Sequence, residues 1–228
     1  MLLDGFHAVK HAMRFGADLR LLLTSDRAAV RALAEKLAPD LAAALDAAAV
    51  EVSPETQRRL VPKADPTGVV ALAGRPDDSR LWTVPRRAPV VVLDQPRNLG
   101  NVGAVVRLAA GFGATGVVTT GDLDPWHPNA VRGSAGLHFA VAVAGRAPTD
   151  LPAGPLLAFD PDGEDIRSIA VPDDALLAFG SERRGLSPEV RAAADRLVAV
   201  PMRAGVSSFN LATTVAMGLF HWWSHRAA

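Results

Sequence analysis

No cysteine occurs among the 228 residues, which excludes disulfides and thiolate metal sites. The six histidines show no tight ligand spacing and no paired acid at a telling interval, so no metal centre is expected. Neither sign of charge is in excess: 24 basic residues balance 24 acidic ones. The whole chain therefore lacks the basic signature usual for a nucleic-acid binder, and any nucleic-acid face has to be a local patch. Long apolar runs are missing as well. The opening "MLLDGFHAVKHAMRFGADLR" carries charges throughout, which fits neither a secretory signal nor a membrane span, and points to a cytoplasmic protein without a membrane partner.

What is present suits a folded protein. Hydrophobic residues make up 49% and charged residues 21%, which argues against extensive disorder. The first part alternates helical and extended runs: "HAVKHAMRFG" as helix, "LRLLLTS" as strand, "SDRAAVRALAEKLA" as helix, then "AVEVS", "SPETQRRLV" and "GVVALAG". "RPDDSRLWTVPRRAP" reads as a linker, rich in proline and charge, and divides residues 1–83 from 84–228. Beyond it, "PVVVLD", "TGVVTT", "HFAVAVA", "PLLAFD", "ALLAFG" and "RLVAV" read as buried strands alternating with helices. That pattern predicts an α/β fold with a mostly parallel sheet.

In such sheets, ligands bind beyond the carboxyl ends of the strands, and three loops there carry unusual residues. The first, "DQPRNLGNVGAVVR", has glycines and asparagines that let the backbone turn, with Arg107 six residues after Asn101, so that both side chains are expected to face the space above the sheet. It lacks the G-x-G-x-x-G spacing of a dinucleotide fingerprint, which counts against a nucleotide-dependent oxidoreductase. In the second, "FGSERRGLSPEV", Ser187, Pro188 and Glu189 specify a helix start, which leaves Gly180, Glu182 and Gly185 without a capping role. In the third, "VPMRAGVSSFN", Ser207 or Ser208 is expected to cap the final helix, with Asn210 close to its start.

Taken in order, "NVGAVVRLA" (residues 101–109), "GSERRGLS" (180–187) and "VPMRAGVSSFN" (200–210) resemble the three motifs of the SpoU (TrmH) family of the SPOUT superfamily, and "VRGSAGLHF" is similar to the segment usually placed between the first two. The resemblance implies an RNA 2′-O-ribose methyltransferase with a deep C-terminal trefoil knot, acting as a homodimer on ribosomal RNA sooner than transfer RNA. It implies S-adenosylmethionine bordered by Gly180, Val200, Met202, Phe209 and Leu211. The catalytic set it implies is Asn101, Arg107, Glu182, Ser208 and Asn210. It gives the role of base to Arg107, although a guanidinium is normally protonated in proteins. Phe209 stands where leucine is commoner, and Leu108 where threonine is usual. Residues 1–83 resemble an L30e-like substrate-binding domain, which implies RNA contacts through Arg14, Arg58, Arg59 and Lys63. A catalytically silent RNA-binding member of the same fold would be expected to have lost Arg107, Ser208 or Asn210; all three are present.

Overall fold

The alternating runs resolve into two sheets in the computed structural model, which describes residues 1–61 and 65–226; Lys63 lies outside the described residues. The first half contains β1 (Leu2–Asp4), α1 (Phe6–Arg14), β2 (Leu19–Thr24), α2 (Arg27–Leu37), α3 (Ala42–Ala48), β3 (Ala49–Glu51), α4 (Pro54–Leu60) and β4 (Val69–Ala73). Its sheet has the order β1-β4-β2-β3, with β4 antiparallel to both neighbours and β2 parallel to β3. Side-chain caps set two of the helix starts: Asp26 accepts from the Ala29 amide at 2.9 Å, and Ser53 from Thr56 at 3.1 Å. β1 escapes sequence reading because three residues are too few to display an alternation.

The second half contains β5 (Val90–Leu93), α5 (Leu99–Phe112), β6 (Gly116–Thr119), α6 (Pro128–Gly133), β7 (Ala142–Gly145), β8 (Leu156–Asp165), β9 (Leu176–Phe179), α7 (Pro188–Ala193), β10 (Arg196–Ala199) and α8 (Leu211–Ser224). The six strands run in the order β10-β8-β9-β5-β6-β7, and every neighbouring pair is parallel. All four residues of β5, β6 and β9 are buried, as continuous apolar runs require when both faces of a sheet are covered. The chain builds outward from β5 to β7 and then crosses to the other side, so the order reverses between β5 and β9. That switch point is where parallel sheets open a crevice beyond their strand ends. No helix among the described residues is long and apolar enough to cross a membrane.

The linker is anchored. A 3-10 turn over Ser79–Trp82 buries Leu81 against Val90, Val92 and Val118 of the second sheet, and Gly116 makes room for it: a Cβ there would lie 2.7 Å from Leu81 Cδ2. Arg86 is buried too and donates to the carbonyls of Ala153 and, at 2.5 Å, Asp174.

The two halves meet at the "VRGSAGLHF" segment. Arg132 pairs with the buried carboxylate of Asp4, and His11 Nδ1 donates to the Ala135 carbonyl at 2.7 Å. A Cβ on Gly136 would sit 2.4 Å from the Ala8 carbonyl oxygen, so only glycine allows this approach. The expected strand "HFAVAVA" starts late, at Ala142, because residues 137–139 form a 3-10 turn that takes the His138 ring off the ladder and into the core.

His138 Nε2 donates to the Pro125 carbonyl at 2.8 Å, which leaves Nδ1 to accept from the Ser134 hydroxyl at 2.7 Å. Burial pushes its pKa down to about 4 from the ordinary 6.5. An unfolded chain takes up this proton below pH 6.5, whereas the native state resists until about pH 4. Stability from this residue is therefore full above pH 6.5 and lost as pH falls toward 4, by roughly 3 kcal/mol. Denaturant unfolding at pH 7 and pH 4.5 is expected to show a smaller acid-induced loss for His138→Gln than for the parent. Equal losses would remove His138 as a source of the acid sensitivity.

Candidate functional site

All three singled-out loops emerge at the carboxyl ends of the second sheet, and each is fixed by its own local chemistry. After β5, Asn98 caps α5 by accepting from the amides of Gly100 and Asn101 at 2.8 and 3.2 Å. With Asn98 so engaged, Asn101 in the first turn is left to point outward. Gly103 serves packing instead of the turn: a Cβ there would lie 2.4 Å from the Ala130 carbonyl oxygen of α6.

After β9, residues 181–185 close on themselves, with Ser181 and Gly185 exchanging amide-to-carbonyl hydrogen bonds of 2.9 and 3.0 Å, and Gly185 at φ 66°. Gly180 lies beneath this turn. A Cβ on it would be 2.1 Å from the Gly185 carbonyl carbon and 2.3 Å from the Leu186 nitrogen, so the close approach that requires glycine is to the loop's own backbone. The fully buried Asp94, at the end of β5, holds the turn from below. Its Oδ2 accepts from the Ser187 amide at 2.5 Å and its Oδ1 from the Thr120 hydroxyl at 2.6 Å.

After β10 the chain stays irregular through Phe209, and the final helix begins at Leu211. Its cap is Asn210, whose Oδ1 accepts from Ala212 and Thr213 at 2.9 and 3.3 Å. Neither Ser207 nor Ser208 fills that role, because both precede the last irregular residues and line a cavity.

Capping also orients the amides. With Asn210 Oδ1 turned to the helix, its Nδ2 donates to Asn101 Oδ1 at 3.3 Å, and Asn101 Nδ2 in turn donates to Glu182 Oε1 at 2.8 Å. The Arg97 amide donates to Glu182 Oε2 at 3.2 Å. A single relay thus ties the three loops together. Burial, the largest single influence, raises the Glu182 carboxyl, but hydrogen bonds from Asn101, from its own amide and from the backbone of Arg97 and Asn98 together hold it below the ordinary range. Glu182 is consequently ionised at neutral pH and a poor proton acceptor.

Beside the relay lies a cavity of about 460 Å³, within the range that nucleoside-sized ligands occupy. Phe159 and Phe179 form one wall, stacked at 4.2 Å with an interplanar angle of 22°, and Gly218 of α8 leaves space for both rings. Gly180, Glu182, Val200, Met202, Ser208, Phe209 and Leu211 all line it. Asn101 and Asn210 stand beside it through the relay. Arg107 does not join them. Six residues at about 100° each turn it about 240° from Asn101 and carry it about 9 Å along α5, so the two do not face one space. It is exposed, and this chain's cavity does not include it.

Residues 88–220 match the model of the SpoU rRNA Methylase family. The chain belongs to that family. As a SpoU methylase it is an RNA methyltransferase. It is 28% identical, over 96% of its own length and 80% of the other, to a 23S rRNA (uridine(2479)-2′-O)-methyltransferase of Streptomyces viridochromogenes. An uncharacterized tRNA/rRNA methyltransferase of Mycobacterium tuberculosis is 35% identical over 67% of this chain and 58% of that protein. Among solved structures, a SpoU methyltransferase of Streptomyces viridochromogenes has a TM-score of 0.79 at 25% identity, covering 99% of this chain and 89% of that one. An AdoMet-bound rRNA methyltransferase of Sinorhizobium meliloti has the same TM-score at 24% identity, covering 100% and 88%.

Sequence reasoning about this SpoU methylase passes over Asp94 and Phe159. Asp94 reads as the polar stop of an apolar run, and Phe159 as one more core residue of "PLLAFD". Only tertiary structure turns the one toward Ser187 and the other toward Phe179.

Proposed function

We propose that this SpoU methylase transfers a methyl group from S-adenosylmethionine to a ribose 2′-hydroxyl of a structured RNA, ribosomal RNA sooner than transfer RNA, and works as a homodimer. The observation that carries the reading is the meeting of all three motif loops at one cavity, joined by the Asn210–Asn101–Glu182 relay. The donor supplies a sulfonium methyl. Gly180, Val200, Met202, Phe209 and Leu211 would hold it: the lining is apolar where Phe159, Phe179 and the aliphatic side chains stand, and the backbone of the loops offers polar groups at its edge. The 23S ribosomal RNA specificity of the Streptomyces relative favours the ribosomal substrate.

A ribose hydroxyl is a poor nucleophile until its proton departs, and in-line positioning supplies much of the remaining advantage. Ser208, on the cavity wall, and the Asn101–Asn210 amides orient the ribose. Glu182 holds the relay rigid and is too weakly basic to take the hydroxyl proton, which passes to Arg107 in its neutral guanidine form, since a guanidinium has no lone pair to accept it. Arg107 reaches the reacting atoms from a second copy. On α5 beside it Gly100 and Gly111 are exposed and Ala104 and Leu108 half-buried, and the neighbouring face of α8 exposes Phe220 and Trp223 next to the half-buried Met217, an apolar surface suited to self-association. The C-terminal segment is proposed to be the knotted end, in keeping with α8 returning from edge strand β10 to pack on α5. Residues 1–83 are proposed to be the L30e-like unit that recognises RNA. In it Arg58 and Arg59 are exposed on α4, whereas Arg14 is engaged by Asp40 at 2.6 Å.

Labelled methyl transfer is expected to ribosomal RNA from cells lacking the gene; label in transfer RNA alone would overturn the RNA class. Arg107→Ala is expected to lower turnover by about 10²–10⁴-fold while sparing cofactor affinity. Mixing it with a cavity-defective copy such as Gly180→Ala should restore about a quarter of normal activity, because only mixed dimers assemble one whole site. Near-normal turnover of Arg107→Ala would sink the role, and no restoration would sink the shared site.

A further inference from the structure

Most of the basic residues of this chain are arginines, and over much of the surface they face carboxylates. Arg14 meets Asp40, Arg27 meets Asp46, Arg75 meets Asp124 and Arg196 meets Glu164, all at 2.6–2.9 Å. The mouth of the cavity differs. Arg97 precedes α5, Arg183 and Arg184 form the tip of the turn after β9, and Arg203 follows Met202 in the loop after β10. All four are exposed, and among the described residues none has a carboxylate within 4.0 Å.

Nor are the acids nearby free to neutralise them. Glu182 accepts from Asn101 and the Arg97 amide, Asp160 is paired with Arg191, and Asp94 is buried under Ser187. The loops that carry the arginines are held together: the Arg97 amide is on Glu182, the Arg184 amide donates to Ser181 Oγ at 3.3 Å, and Arg183 lines the cavity beside Ser207 and Ser208. Arg58, Arg59, Arg80, Arg87 and Arg107 are also exposed without a carboxylate partner among the described residues, but the four named here are the ones carried on the loops around the functional cavity.

We propose that Arg97, Arg183, Arg184 and Arg203 form a collar that binds the phosphodiester backbone on either side of the target nucleotide. This rests on the reading of the protein as an RNA methyltransferase and adds the groups that hold the RNA. Guanidiniums match phosphate oxygens bidentately, and several on separate loops can follow a curved backbone without reading its sequence. Affinity from such contacts depends on salt, because each neutralised phosphate releases counterions.

The test compares the parent with a variant carrying Arg97→Gln, Arg183→Gln, Arg184→Gln and Arg203→Gln, using protein-free ribosomal RNA as the probe. Binding is measured from about 50 to 200 mM salt, with S-adenosylmethionine affinity and thermal unfolding measured alongside. The collar variant is expected to bind RNA about 10–100-fold more weakly at low salt, with a slope of log K against log salt shallower by about 0.7–0.9 for each phosphate no longer neutralised. Its KM for RNA should rise more than its kcat falls, and a triple variant that keeps Arg183, which lines the cavity, should bind S-adenosylmethionine as the parent does. A control with Arg75→Gln and Arg196→Gln, which removes carboxylate-paired arginines, should bind RNA as the parent does. Parental affinity and slope in the collar variant, with the parent itself methylating RNA, would overturn the collar alone. A loss confined to cofactor binding would also overturn it, and would assign the guanidinium to the donor's carboxylate. A parent that neither binds nor methylates ribosomal or transfer RNA would overturn the functional reading and the collar together.

Discussion

Gly180→Ala is expected to abolish measurable S-adenosylmethionine binding, lower methyl transfer by at least about 100-fold and reduce stability by about 1–3 kcal/mol. The cause is space. The added Cβ would lie 2.1–2.5 Å from the Gly185 carbonyl and the Leu186 nitrogen, all backbone atoms of a turn that is pinned twice, by the Ser181–Gly185 hydrogen bonds and by Asp94 on the Ser187 amide. No side chain can rotate to relieve the clash, so the turn itself has to lift, and it carries Glu182 with it. In a protein of this size, such a loss lowers Tm by roughly 2–12 °C. Gly185→Ala makes the contrast. That position sits at φ 66° with nothing within 4 Å, so alanine there meets only the left-handed backbone penalty of about 1–2 kcal/mol. Parental cofactor affinity and turnover in Gly180→Ala would contradict the packing described for this loop.

Asp94→Ala is expected to cost about 2–5 kcal/mol and to lower turnover as well, although Asp94 is buried beneath the site. Its carboxylate is the acceptor for both the Ser187 amide and the Thr120 hydroxyl, and alanine leaves both donors inside the protein without that partner. The Ser187 amide opens the N-terminal turn of α7 and closes the 181–185 turn from behind, so Glu182 loses its fixed position relative to Asn101. Asp94→Asn keeps one acceptor oxygen, which can serve Ser187, while its amide nitrogen can donate to Thr120 Oγ1. It should therefore fall between the parent and alanine in both Tm and kcat. Asp94→Ala within 0.5 kcal/mol of the parent, with normal kcat, would remove Asp94 as the support of the second loop.

How much of this was legible in the chain varies by element. Continuous apolar tetrads such as Val90–Leu93 and Leu176–Phe179 announce a buried parallel sheet because nothing polar interrupts them. The three loops stood out because glycine, glutamate and asparagine have no packing role at strand ends. What the sequence could not convey is which of several polar neighbours does which task. Asn98 and Asn101 are chemically equivalent; the six-residue spacing to Arg107 favours Asn101 for the site, and the observed cap on α5 supplies the separate task of Asn98. Ser207, Ser208 and Asn210 all suit a helix start, and the helix takes the last of them because the loop before it stays irregular to line the cavity. Asn101 and Arg107 lie close in sequence, yet the helix turns the arginine away from this chain's own site. The "VRGSAGLHF" segment gave no sign that it joins the two halves, since Gly136 acquires its meaning only from Ala8 of a distant helix.

The most direct measurement uses S-adenosylmethionine labelled in its methyl group and ribosomal RNA from cells lacking the gene, followed by alkaline hydrolysis of the product. Alkaline cleavage needs a free 2′-hydroxyl to attack the neighbouring phosphate, so a methylated ribose survives within a dinucleotide. Label is expected in alkali-resistant dinucleotides with the parent protein, and nowhere with Gly180→Ala. Label recovered only in mononucleotides, as methylation of a base would give, or no transfer to any RNA, would refute ribose 2′-O methylation by this cavity.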